Sequence, residues 1–241
     1  MRWDQKQSKL ENKTYEIIDE IAEEIGVNVP YLPEVYWVGK NLKFESLGVG
    51  PQHRGIFNDL QIREYGENED SNEKIENCSA FLKKEKIILL GRANIVDVSE
   101  EATHFLHFIN SNLKIKRDNL FEYFGQNTIA EMFGFFGSKL IWPQRKSLFE
   151  TQYDPLENKD YVKTRDKLEE LFSQRNREDF ECLVYNQAYN LGENLFGAYI
   201  SGEVPMKQIR KLFTSPLAKK NEAAEIFLSL KSDFIGYWNS L

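Results

Sequence analysis

The run Val98-Ser-Glu-Glu-Ala-Thr-His-Phe-Leu-His107 decides how the rest of this 241-residue chain is interpreted. It holds two of the three histidines in the protein, and a pair of glutamates precedes the first of them. At about 100° per residue, Glu100, His104 and His107 fall within a narrow arc of a helix. The opposite side of that helix is apolar, with Val98, Ala102, Phe105, Leu106 and Ile109. The run therefore predicts an amphipathic helix with a buried underside and a polar face that can bind a ligand.

Short strand-like segments precede this helix. They are apolar, β-branched or aromatic and lie at Val35–Val38, Ala80–Leu82 and Lys86–Leu90. A second, almost wholly apolar helix is predicted from about Thr128, and the aromatic segment Asn119–Phe124 before it is predicted to start or cap the next helix. Further helical segments follow to the end of the chain. This order predicts an α+β fold, in which a small mixed sheet and the Glu100 helix are followed by a C-terminal helical extension. Residues 1–146 are predicted as the core domain and 147–241 as the extension packed on it, with one continuous domain as the alternative.

The second helix carries Glu131 among apolar residues, together with Gly134 and Gly137. A carboxylate in such a helix needs a charge partner, which His104 or a metal ion would supply. Each glycine weakens a helix by about 1 kcal/mol unless close packing requires it. Close approach of this helix to the Glu100 helix would be such a requirement.

The segment Glu100-Glu101-Ala-Thr-His104 resembles the H-E-x-x-H motif of the zincin metalloproteases. In that resemblance Glu100 stands at the first metal-binding histidine, Glu101 at the general base and His104 at the second histidine. Glu131 takes the place of the third, glutamate ligand of gluzincin-type members. The resemblance covers roughly residues 35 to 140, and it implies a zincin-like core that binds a divalent metal and hydrolyses peptide bonds.

The glutamate at position 100 alters the metal chemistry that the motif implies. Zinc favours nitrogen and sulfur donors, whereas two carboxylates and one imidazole also suit Mn²⁺ or Fe²⁺. The candidate metal ligands are Glu100, His104 and Glu131, with His107 one turn away. Glu101 is the candidate catalytic base. We expect a divalent cation, zinc or else manganese or iron, and a peptide or protein substrate.

Other interpretations of these residues involve no peptidase. With Glu100 in place of the first metal-binding histidine, the chain can be an inactive zincin-fold protein that serves as a binding or structural module. Thr128-Ile-Ala-Glu131 fits a capping box, which would assign Glu131 to closing a helix start. Glu101-Ala-Thr-His104 is also the E-x-x-H element of carboxylate-bridged di-iron proteins, although no histidine follows His107 to complete a second element.

Composition limits the classes of partner. A net charge of −7 argues against a general nucleic-acid binder, which needs a concentrated basic surface. The sequence contains no run of about 18 apolar residues, so no membrane span is predicted. The first residues lack the apolar segment of a secretory signal, and a cytoplasmic protein is therefore expected. Cys78 and Cys182 show no C-x-x-C spacing and are predicted to be free thiols.

Two further sets of residues are weaker candidates for the site. The glycine-rich loop at 48–55 matches neither a dinucleotide fingerprint nor a P-loop, so we interpret its histidine, His53, as an ordinary loop residue. Tyr189 and Tyr199 lie on a predicted C-terminal helix with a wide apolar stripe. Either phenol could donate a hydrogen bond to a reacting carbonyl.

Overall fold

A computed structural model describes residues 3–37, 79–82, 87–90, 95–111, 119–145, 165–166, 168–170, 177–215, 217 and 222–241. The elements in chain order are α1 (Trp3–Ile25), β1 (Glu34–Trp37), β2 (Ala80–Leu82), β3 (Ile87–Leu90), α2 (Ile95–Ser111), α3 (Leu120–Ile141), α4 (Arg177–Ile200), α5 (Met206–Phe213), α6 (Glu222–Ser232) and α7 (Phe234–Ser240). Residues 165–166 and 168–170 are also helical.

The described chain is mainly helical, so the predicted α+β class was wrong. Its strands have only three or four residues each, whereas α1, α3 and α4 have 22 to 24. The strands pair in the order β1-β3-β2, with β1 parallel and β2 antiparallel to β3. Strand propensity located these segments, but strands this short cannot form a layer that covers the long helices.

Helix α3 lies at the centre of the core. It packs against α2, α4 and α6, and most of its apolar residues are buried because they lie around its whole circumference. One cluster of buried side chains runs from Ile17 on α1 to Trp238 on α7 and draws on both predicted units. The division into a core at 1–146 and an extension at 147–241 stays a prediction.

Helix α3 starts at the segment Asn119–Phe124, which was predicted to start or cap a helix, and not at Thr128. The helix begins at Leu120, where the side chain of Asn119 accepts a hydrogen bond from the backbone N–H of Glu122 at 3.1 Å. Thr128 is therefore buried in the middle of a helix, and Glu131 lies 12 residues after the cap Asn119 (131 − 119), where a capping box has its glutamate at about the third residue. Glu131 does not close a helix start.

Among the described residues, no helix combines the length and apolarity needed to cross a membrane. Several predictions cannot be followed further in the structure. The glycine-rich loop at 48–55 with His53, and Cys78, lie outside the described residues, and the side chain of Cys182 is not described.

Candidate metal centre

Two glycines allow α3 to approach α2 closely, which is the explanation that the sequence suggested for them. A Cβ atom at Gly134 would lie 2.6 Å from Cε1 and 2.7 Å from Nε2 of His104. A Cβ atom at Gly137 would lie 2.0 Å from Oγ1 of Thr103, one residue earlier on α2. Since real side chains do not approach so closely, glycine is needed at both positions for this helix pair to pack as it does.

This approach brings three candidate ligands together. Glu100 and His104 lie one turn apart on α2, and Glu131 faces them from α3. One potential ligand atom from each residue lies within 4.8 Å of the other two, and His104 Nε2 is 3.3 Å from Glu131 Oε2. Ligand atoms around one small divalent ion lie roughly 3–4 Å apart, so small side-chain rotations would bring all three onto one ion. The donor set of two carboxylates and one imidazole fits Mn²⁺, Fe²⁺ or Zn²⁺.

Glu100 also has two hydrogen-bond donors from outside α2 and α3. Arg145, shortly after the end of α3, donates from Nη2 to Glu100 Oε2 at 2.6 Å. The hydroxyl of Tyr189 on α4 donates to Glu100 Oε1 at 3.2 Å. Burial raises the pKa of Glu100 above its usual value, although the Arg145 guanidinium acts in the opposite direction and favours the ionised carboxylate.

The His104–Glu131 contact sets the charge of the histidine. Burial alone would lower the pKa of His104, but the charge and hydrogen bond of Glu131, with the other nearby carboxylates, outweigh burial and raise the pKa to about 9. The imidazole therefore carries a proton near pH 7. Without a metal ion, the buried charges form two pairs: Glu100 with Arg145, and Glu131 with His104.

Glu101, the candidate base, is buried beside this group. Burial raises its pKa to about 8, although the charge of His104 acts in the opposite direction. Near pH 7 the metal-free protein therefore holds Glu101 largely as a neutral acid. A divalent ion bound nearby would favour the ionised form and so produce a carboxylate able to accept a proton.

The phenols near the site are neutral hydrogen-bond donors. Burial and the negative charge of Glu100 raise the pKa of Tyr189 far above its usual range. The charge of Glu131 and burial do the same for Tyr185, one turn earlier on α4. Tyr199, the other tyrosine suggested by the sequence, donates instead to Glu24 on α1.

His107 is placed apart from the three-residue group. It is buried in the core, with its ring centroid 4.9 Å from that of Phe133 and 5.0 Å from that of Phe213 on α5. The structure thus brings together three of the four predicted ligands, Glu100, His104 and Glu131, and places the fourth in an aromatic cluster.

Arg145 and Tyr185 were not identified from the sequence. Arg145 follows the Trp142-Pro143 helix stop and lies 45 positions from its partner Glu100. No periodic pattern links these two positions, and a basic residue just after a helix end ordinarily predicts a solvated side chain. Tyr185 lies on the apolar stripe of α4, where packing accounts for an aromatic residue equally well.

Comparison of the chain with models of known protein families, with curated proteins and with solved structures finds no match. The zincin resemblance therefore depends on the residues of this chain, above all on those of α2 and α3.

Proposed function

We propose that this protein binds one divalent cation through Glu100, His104 and Glu131 and uses it in metal-dependent hydrolysis. The observation that carries the proposal is that ligand atoms from two helices lie within 4.8 Å of one another, at a point where glycine allows the helices to meet. The zincin resemblance supplies the reaction class, peptide-bond hydrolysis of a peptide or protein, and the proposal keeps the expected cytoplasmic location.

Each residue has a distinct part in this proposal. The bound cation would polarise a substrate carbonyl and activate water. Glu101 would accept the proton of the attacking water, since it lies next to a ligand and is screened from bulk solvent. Tyr189 and Tyr185 would remain neutral and donate hydrogen bonds, to Glu100 or to a developing oxyanion.

The experiment is metal analysis of the purified protein, followed by reconstitution with Mn²⁺, Fe²⁺ and Zn²⁺. We expect about one equivalent of metal per chain, lost in Glu131→Ala, because a lone glutamate and histidine make a weak site. His107→Ala is the matched control, since this histidine lies outside the group. Failure to bind any of the three ions would refute the metal site.

Hydrolysis needs a separate test. Glu101→Gln keeps the size of the side chain but cannot accept a proton as a carboxylate does. A peptide-library assay should show cleavage by the metal-loaded protein and a loss of at least roughly hundredfold in the variant. Cleavage that survives unchanged in Glu101→Gln would exclude Glu101 as the base.

The Arg145–Glu100 ion pair favours a second candidate, a metal-free zincin-like protein that serves as a binding or structural module. In the metal-free state every charged group of the site has a partner of opposite charge, so no ion is required for neutrality. Stoichiometric metal in protein purified without added ions would exclude this candidate.

A further inference from the structure

Arg145 is a permanent cation placed against a candidate metal ligand. Its Nη2 lies 2.6 Å from Glu100 Oε2, and its side chain is only 3% exposed. A guanidinium keeps its proton at any pH at which proteins are folded. A divalent ion bound by Glu100 would therefore share that carboxylate with a fixed positive charge in a poorly solvated place.

Several contacts prevent this guanidinium from moving away. Its Nη1 donates to the hydroxyl of Ser138 on α3, and Cζ lies 4.6 Å from the ring centroid of Phe135 and 5.4 Å from that of Tyr189. The backbone carbonyl of Arg145 accepts a hydrogen bond from Nζ of Lys139 at 2.9 Å. The residue is therefore held through both its side chain and its backbone.

We infer that Arg145 is a positioning residue that acts as an internal counter-ion, ordering Glu100 while opposing the binding of a divalent cation to that carboxylate. The inference rests on the proposed metal-binding function and adds a determinant of its strength. Arg145 acts through Glu100 and is not itself a ligand.

Arg145 can affect metal affinity through its charge or through its packing around Glu100, and these two effects change the affinity in opposite directions. Removing its charge should tighten metal binding, because the ion then no longer competes with a like charge for Glu100. Loss of packing around Glu100, the outcome of a purely structural role, should weaken metal binding because the ligand becomes less ordered. An affinity that rises in the variant therefore cannot come from structural damage.

The test is calorimetric titration of the full chain with Mn²⁺. We expect Arg145→Gln to bind Mn²⁺ at least roughly tenfold more tightly than the wild type, because a buried like charge has been removed. Arg145→Lys keeps the positive charge but loses the forked and stacked geometry of the guanidinium, so it should not bind Mn²⁺ more tightly than the wild type. Tyr189→Phe, the matched control, removes the other donor to Glu100 without changing any charge and should not tighten binding.

The outcomes distinguish this inference from the proposed function. Binding by Arg145→Gln but not by the wild type supports the inference and refutes metal binding by the native chain. Binding by the wild type that is equal or weaker in Arg145→Gln overturns the inference and leaves the proposed function in place. Binding by neither protein overturns both.

Stability supplies a second measurement, because Arg145→Gln leaves Glu100 without its counter-ion. We expect Mn²⁺ to raise the thermal unfolding midpoint of this variant more than that of the wild type, since the ion would replace the missing charge. A variant that stays unfolded at millimolar Mn²⁺ counts against the inference, because the ion would then be unable to take the place of the guanidinium.

Discussion

The interface between α2 and α3 has two halves, and each contains one histidine of α2. In the acidic half, His104 lies 3.3 Å from a carboxylate oxygen of Glu131. In the aromatic half, the ring of His107 packs against the rings of Phe133 and Phe213, at centroid distances of 4.9 and 5.0 Å. The two histidines are three residues apart on one helix, so the difference comes from the residues that α3 and α5 place against them.

This comparison shows that a shared helical arc does not give two residues a shared role. His104 and His107 lie about 60° apart on α2, and the sequence offered both as metal ligands. Gly134 leaves room for the first imidazole, whereas Phe133 and Phe213 surround the second. The partner helices therefore decide which of the two can reach an ion.

The largest expected effect is on the acidic half. His104→Ala removes the one nitrogen donor among three ligands and should weaken metal binding by more than about hundredfold, beyond the effect of losing a group that only orients a ligand. Elemental analysis and Mn²⁺ titration measure it. Metal bound by His104→Ala at wild-type affinity would show that His104 is not a ligand, and the two histidines would then not differ in metal binding.

The aromatic half should respond in stability instead of metal binding. His107→Ala leaves a cavity between two phenylalanine rings and should cost roughly 2–4 kcal/mol of unfolding free energy. Denaturant unfolding measures this loss, and metal affinity in the same variant should match the wild type. A strong loss of metal in a folded His107→Ala protein would assign His107 to the site after all.

The close approach of the two helices can be tested at Gly137. An added methyl group would meet Oγ1 and Cγ2 of Thr103 at 2.0 and 2.6 Å, so Gly137→Ala should lower the free energy of unfolding by about 1–3 kcal/mol. Gly197 on α4 is the matched control, because a Cβ atom there meets nothing within 4 Å. Gly197→Ala should raise stability by up to about 1 kcal/mol, and equal effects at both positions would contradict the packing.

The last expected effect is on the pH dependence of the free energy of unfolding, and it again concerns the acidic half. The pKa of His104 is raised from 6.5 to about 9, so its stabilisation of the metal-free fold is complete below pH 6.5 and is lost as pH rises through about 9. The raised pKa of Glu101 acts in the same direction, from its unfolded value of 4.5 up to about 8. We expect the free energy of unfolding to fall between pH 6 and pH 9, because the folded protein holds protons on both groups that the unfolded chain has already released.

Denaturant unfolding at several pH values, in a chelating buffer, measures that decline. His104→Ala should show a shallower decline than the wild type because one of the two titrating groups is gone. Stability that rises over this interval would contradict the ion pair between His104 and Glu131.

Parts of the fold followed from the sequence because they depend on neighbours in the chain. The helix around Glu100 and the short strands before it lie where periodicity and composition placed them. The fold class was wrong because these local signals say where strands lie but not how small a share of the chain they form. Asn119–Phe124 was correctly interpreted as a helix start or cap, because the cap depends on residues close together in the chain. The start expected near Thr128 was wrong, because Thr128-Ile-Ala-Glu131 imitates a capping box in the middle of the helix.

The sequence by itself determined that Glu100 and His104 share a helical face and that glycine interrupts the apolar helix carrying Glu131. Both follow from the fixed period of a helix and from the absence of a side chain on glycine. Only the tertiary structure decided that His107 lies in the core and that Arg145 pairs with Glu100. Those contacts join residues from separate elements, and a charge or an aromatic ring acquires its role from the groups that folding places beside it.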